Sequence, residues 1–121
     1  MHLFGSGDNA LAMIVVAVAV ALAGIPVGAR AANVDADAAI ALAKANGCFK
    51  CHSIEKTKTG PSYKEVAAKY KGKPDGEEKL IKHFTTGPKV KLKDGTEVDH
   101  MIIGTKDPKV LRNLANWILS R

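Results

Sequence analysis

The only two cysteines of the chain and one of its histidines stand together at Cys48-Phe49-Lys50-Cys51-His52. The spacing C-x-x-C-H is the one that attaches haem covalently. Each thiol adds to one vinyl group, and two intervening residues set the sulfurs at the separation of the vinyls. The residue directly after the second cysteine is then carried beneath the iron, where an imidazole nitrogen can bind. Cys48 and Cys51 are therefore candidate thioether anchors, and His52 is the candidate proximal ligand of a single haem c. Other uses fit less well. A disulfide between residues this close would shut a tiny loop and restrain the unfolded chain little. A thioredoxin-like pair follows a strand in a βαβ pattern, and no such pattern is visible. A zinc site needs four ligands, and adjacent Cys51 and His52 cannot easily point at one ion.

A thioether opposite an imidazole is the pairing of electron-transfer haems and raises the reduction potential. After the apolar leader the chain has one methionine, Met101, which lies 49 residues beyond His52. A lone methionine can be core filler, but this one stands beside Asp99 and His100 in a loop. His100 is a rival ligand, and a loop can present only one of two adjacent side chains at the iron. His83 is a third candidate, although its place on an amphipathic helix suits a solvent-edge histidine better.

These residues need helices to position them. Asn33 or Asp35 can cap a helix over Ala36–Asn46, a stretch rich in Ala, Leu and Lys that Gly47 ends just before Cys48. Thr57–Pro61 reads as a loop. Ser62 then caps a short helix through Lys71, with Tyr63, Val66, Ala67 and Tyr70 at helical spacing. Glu77–Thr85 forms a third helix with Leu80, Ile81 and Phe84 on one face, stopped by Gly87-Pro88. Lys89–Val98 alternates around Asp94-Gly95 as a small hairpin or extended loop. Asp107 caps the last helix, with Pro108 at its first position and Val110, Leu111, Leu114, Trp117 and Ile118 as its apolar stripe. The expectation is an all-α domain of about four helices, with a long loop before the last.

Ala10–Ile25 is an uncharged apolar run followed by Ala29-Arg30-Ala31, a triplet of the kind cut by signal peptidase. Residues 1–31 are read as a signal peptide, with a retained anchor as the alternative because Met1–Asn9 has no Lys or Arg. Residues 32–121 form the domain, and the mature chain then has no membrane span. Asp8 and Arg30 are the only charges before residue 32, so the whole net charge of +6 stays with the domain. Lys50, Lys56, Lys58, Lys64, Lys69, Lys71 and Lys73 crowd the stretch after the cysteines, a field that speeds encounter with an acidic partner. Nucleic acid suits an exported chain with few aromatics poorly. No catalytic triad, carboxylate pair or phosphate loop is present, so an enzyme is not indicated.

Nearly the whole domain resembles the class I c-type cytochromes, above all the small bacterial monohaem members. Gly47 to His52 looks like the end of their N-terminal helix and haem motif. Gly60-Pro61-Ser62-Tyr63 is similar to their Gly-Pro loop, in which the proline carbonyl accepts a hydrogen bond from the ligand imidazole. Pro61 would thus orient His52. Trp117, sixteen residues beyond Met101, matches the spacing from ligand to C-terminal aromatic. Two features differ: the residues around Met101 are Asp99-His100-Met101-Ile102-Ile103 rather than prolines, and no tryptophan precedes Met101 to hold a propionate. The resemblance implies a cytochrome c fold wrapped round one covalent haem with His52 and Met101 as axial ligands. It implies a periplasmic electron carrier cycling Fe(II)/Fe(III) with redox partner proteins. The alternatives are a haem subunit of a dehydrogenase or reductase, or a bis-His or open-site haem protein acting as enzyme or sensor.

Overall fold

Residues 33–121 are described by a computed structural model, and the leader assigned to residues 1–31 lies outside them. The first helix, α1 (Ala36–Ala45), begins where the Asp35 carboxylate accepts a hydrogen bond from Ala38 N. This satisfies one of the free N–H groups of the first turn. A single 3-10 turn over Cys48–Lys50 follows, and then come α2 (Tyr63–Tyr70), α3 (Gly76–Thr86), strands β1 (Lys89–Lys91) and β2 (Glu97–Asp99), and α4 (Pro108–Leu119). The four helices were expected. The alternation after Gly87 resolves as a minimal antiparallel hairpin that pairs Lys89 with Asp99, Val90 with Val98 and Lys91 with Glu97. Its residues stay mostly exposed, so the alternation serves the ladder rather than a core.

The core is a crossing of α1 and α4. Ala39 and Ala43 are 1% and 0% exposed, and their small side chains let α4 approach closely. Asn113 of α4 clamps the start of α1 from both sides: its Oδ1 accepts from Asp35 N at 2.8 Å and its Nδ2 donates to Asp35 O at 2.8 Å. Leu111, Leu114, Ala115, Trp117 and Ile118 form the buried face of α4. Val110 was expected in that stripe but is 37% exposed. It precedes Leu111 by one residue, which on a helix is a turn of about 100° away from the core. Likewise Leu80 and Phe84 are buried on α3 while Ile81 is only partly covered.

Trp117 is wholly buried, with its ring edge-on to Tyr63 at 5.4 Å and the Arg121 guanidinium over it at 5.2 Å. Its Nε1 has no hydrogen-bond partner among the described residues. Among the described residues the ring contributes to stability through its packing. Trp117→Ala should destabilise the domain by about 3–5 kcal/mol, as other buried aromatic truncations do. Chemical denaturation of the two proteins measures this, and a loss under about 1 kcal/mol would be inconsistent with a core role.

Candidate haem site

The site begins where α1 ends. Gly47 turns the chain with φ +71, a left-handed conformation that side chains disfavour. The following 3-10 turn brings Cys48, Cys51 and His52 onto one short arc, with Cys51 N and His52 N both bonded to Cys48 O. Both thiols are free and partly buried. Burial pushes the Cys48 thiol up, partly offset by its hydrogen bond with the Tyr63 side chain. Burial and the same partner push the Tyr63 phenol up, so it stays protonated.

His52 is held on two sides. Its Nδ1 lies 2.6 Å from Pro61 O. A carbonyl can only accept, so Nδ1 carries the proton and Nε2 keeps a free lone pair. The ring also stacks on Tyr63 at 5.2 Å, with 17° between the planes. Gly60 lies so close that a Cβ there would sit 2.9 Å from His52 Cε1. Only glycine lets the loop lie against the imidazole.

That loop is pinned at several points. Gly60 N bonds Cys51 O at 2.8 Å, and Tyr63 N bonds Ser53 O at 2.9 Å. Ser62 and Glu65 form a reciprocal capping box at the start of α2. Glu65 Oε2 accepts from Ser62 N at 2.6 Å and from the Thr57 hydroxyl at 2.7 Å. These bonds hold its carboxyl below the usual range, the one from Thr57 first. One carboxylate thus secures both the loop and the helix that flank Pro61.

Opposite lies the loop that carries Met101. Three backbone anchors hold it: His100 N to Pro88 O at 2.9 Å, Ile103 N to Phe84 O at 2.8 Å, and Gly104 N to Asn46 Oδ1 at 2.9 Å. Met101 is 50% exposed, and its ε-methyl lies 3.2 Å from where a Cβ on Gly47 would be. The thioether is thus beside the residue that precedes the first anchor cysteine. His100, on the same loop, faces the proximal ligand's surroundings, with ring centroids of His52 and His100 6.1 Å apart. His83, expected at the solvent edge, is instead half-buried with its ring edge-on to His100 at 4.3 Å. Burial, above all, lowers both imidazoles' affinity for protons.

Of the residues singled out from the sequence, Cys48, Cys51 and His52 share one turn, Pro61 bonds His52, and the ε-methyl of Met101 lies beside Gly47 at the start of that turn. Sequence reasoning missed Asn46, whose side chain ties the end of α1 to the Met101 loop across 58 residues. It also missed Gly87, where φ is +60 and a Cβ would sit 2.8 Å from His100 O. The Gly-Pro break was legible, but the close approach of the loop was not. The donor set fits a covalent haem: two free thiols at the right spacing, an imidazole with Nε2 unpaired, and a half-uncovered thioether.

Residues 36–121 match the family model described as cytochrome c. Cytochrome c-551 of Pseudomonas denitrificans is 34% identical over 77 residues, which is 64% of this chain and 89% of the relative. Among solved structures, class 1 cytochrome MtoD from Sideroxydans lithotrophicus ES-1 is 56% identical with a TM-score of 0.70, covering 72% of this chain and 96% of that one. Cytochrome c552 of Nitrosomonas europaea is 31% identical with a TM-score of 0.53, covering 71% and 98%.

Glu65 has a pH signature. Its folded carboxyl binds protons less readily than the unfolded one, so its contribution is complete above the unfolded value of about 4.3 and is lost as pH falls through the lower folded value. Glu65→Gln should be less stable than the parent at neutral pH. The gap between the two denaturation curves should shrink as pH drops below about 4. A gap of constant size across that range would show that the charge on Glu65 is idle.

Proposed function

The chain belongs to the cytochrome c family, and from that premise we propose that it is an exported, periplasmic electron carrier whose haem iron is bound by His52 and Met101. It is a haem electron-transfer protein rather than an enzyme. The observation that carries the site assignment is the short bond from His52 Nδ1 to Pro61 O, directly after two free thiols. It leaves Nε2 as the one nitrogen able to bind iron.

When bound, the haem supplies a one-electron Fe(II)/Fe(III) couple. Cys48 and Cys51 hold it covalently. Pro61 fixes the tautomer and orientation of His52 and raises its basicity as a ligand. Met101 supplies a soft sulfur that favours the reduced state. His52 and Met101 would both be donors to the iron, which suits an electron carrier rather than a site that takes a substrate. Tyr63 and Phe49, edge to face at 5.9 Å, pack beside the attachment turn. Among the described residues no helix is long and apolar enough to cross a membrane.

Partners meet a basic surface in this reading. Lys56 and Lys58 border a groove lined also by Phe49 and His52, and Lys58 Nζ donates to Phe49 O at 2.9 Å. Lys50, on the attachment turn, is exposed as well. Long-range attraction would bring an acidic protein to this edge, with a reach of about 8 Å at physiological salt.

The axial pair is tested by the ferric absorption spectrum. A weak charge-transfer band at the near-infrared edge, characteristic of thioether ligation, should be present. Met101→Ala should abolish it and lower the reduction potential. A parent protein without that band would rule out Met101. The docking surface is tested by oxidising the ferrous protein with anionic ferricyanide. Replacing Lys50, Lys56 and Lys58 together by Glu should slow the reaction at low salt by roughly tenfold or more and flatten its dependence on ionic strength. A parent rate independent of salt would mean that these lysines only keep the domain soluble.

A further inference from the structure

We propose that His100 is a second sixth ligand, able to take the iron whenever Met101 releases it. The inference rests on the covalent haem and on His52 as proximal ligand. It adds a site that the His52/Met101 pairing leaves out.

Two imidazoles bonded to opposite sides of one metal, each at about 2.0 Å, have ring centroids about 6 Å apart. The rings of His52 and His100 are 6.1 Å apart with 48° between their planes. Both leave the same nitrogen free. Nδ1 of His52 is tied to Pro61 O, and Nδ1 of His100 lies 2.8 Å from Met101 O. Each carbonyl can only accept, so each ring keeps its proton on Nδ1 and leaves Nε2 free. The arrangement at His100 is the one by which proteins fix metal-binding histidines: a carbonyl on one nitrogen, the metal on the other.

The ring of His100 is also braced. Its backbone N–H bonds Pro88 O at 2.9 Å, its carbonyl lies against Gly87 where no Cβ intervenes, and His83 packs edge-on at 4.3 Å. Met101, its neighbour, is half exposed. Adjacent residues of one loop cannot both reach the metal, so the two alternate. Sulfur suits the ferrous ion and imidazole the ferric one. Exchange breaks an iron–sulfur bond and forms an iron–nitrogen bond. No proton moves, because Nδ1 keeps its hydrogen throughout. His100 would thus keep the oxidised iron closed to outside ligands when the thioether lets go.

The test uses the haem-loaded protein. Ferric Met101→Ala should remain six-coordinate and low-spin by absorption and electron paramagnetic resonance. The double variant Met101→Ala/His100→Ala should become high-spin. It should bind added imidazole at least about tenfold more tightly than the single variant, because a site mostly filled by His100 is open only a small fraction of the time. Met101→Leu, which keeps the bulk of the side chain, should behave like Met101→Ala. High-spin iron in both single variants, with imidazole affinity equal to that of the double variant, would overturn the proposal. The thioether band of the parent tests Met101 by itself. The comparison of single and double variants tests His100, so the two assignments fail separately.

Discussion

The hydrogen bond from His52 Nδ1 to the Pro61 carbonyl ties the attachment turn to the loop that follows it. It decides which nitrogen of His52 is available and in which direction it points. Much of the surrounding structure exists to keep that carbonyl in place. Gly60 lets the backbone lie against the ring, Ser62 starts a helix immediately afterwards, and Glu65 binds both that helix and the preceding loop. A long flexible loop could not hold one oxygen within hydrogen-bond reach of an imidazole. A loop pinned by its own capping box can.

Tyr63 links this site to the core. Its ring stacks on His52 and makes a T-shaped pair with Trp117 of α4. The attachment turn is therefore not an appendage to a prebuilt helical bundle. Its position depends on how closely α4 approaches Ala39 and Ala43, and that approach depends on the absence of larger side chains there. A domain of this size buries little apolar surface, so a covalently held group and a few tightly packed aromatics have an unusually large share in its stability.

The second ligand loop is secured by different means. Instead of prolines around Met101 there are three hydrogen bonds to distant backbone or side-chain oxygens, from Pro88, Phe84 and Asn46. They hold the path of the loop while leaving its side chains room, and two potential donors, His100 and Met101, stand next to each other on it.

The sequence by itself determined the chemistry of attachment, because Cys48, Cys51 and His52 are neighbours and their spacing is set by covalent geometry. It determined the helices too, since caps such as Asp35, Ser62 and Asp107 and breaks such as Gly47 and Gly87 act within a few residues of themselves. Tertiary structure alone decided which partners meet across the chain. Asn46 reaches Gly104, Asn113 clamps Asp35, and His83 packs on His100 rather than on solvent. It likewise turned Val110 outward and set His100 opposite His52, where the sequence could only name it as a rival to Met101. The physical reason is the same in each case. Local signals fix backbone conformation over a few residues, whereas the distance between side chains dozens of residues apart depends on how closely α1 and α4 pack and on where the loops anchored to the helices must then run.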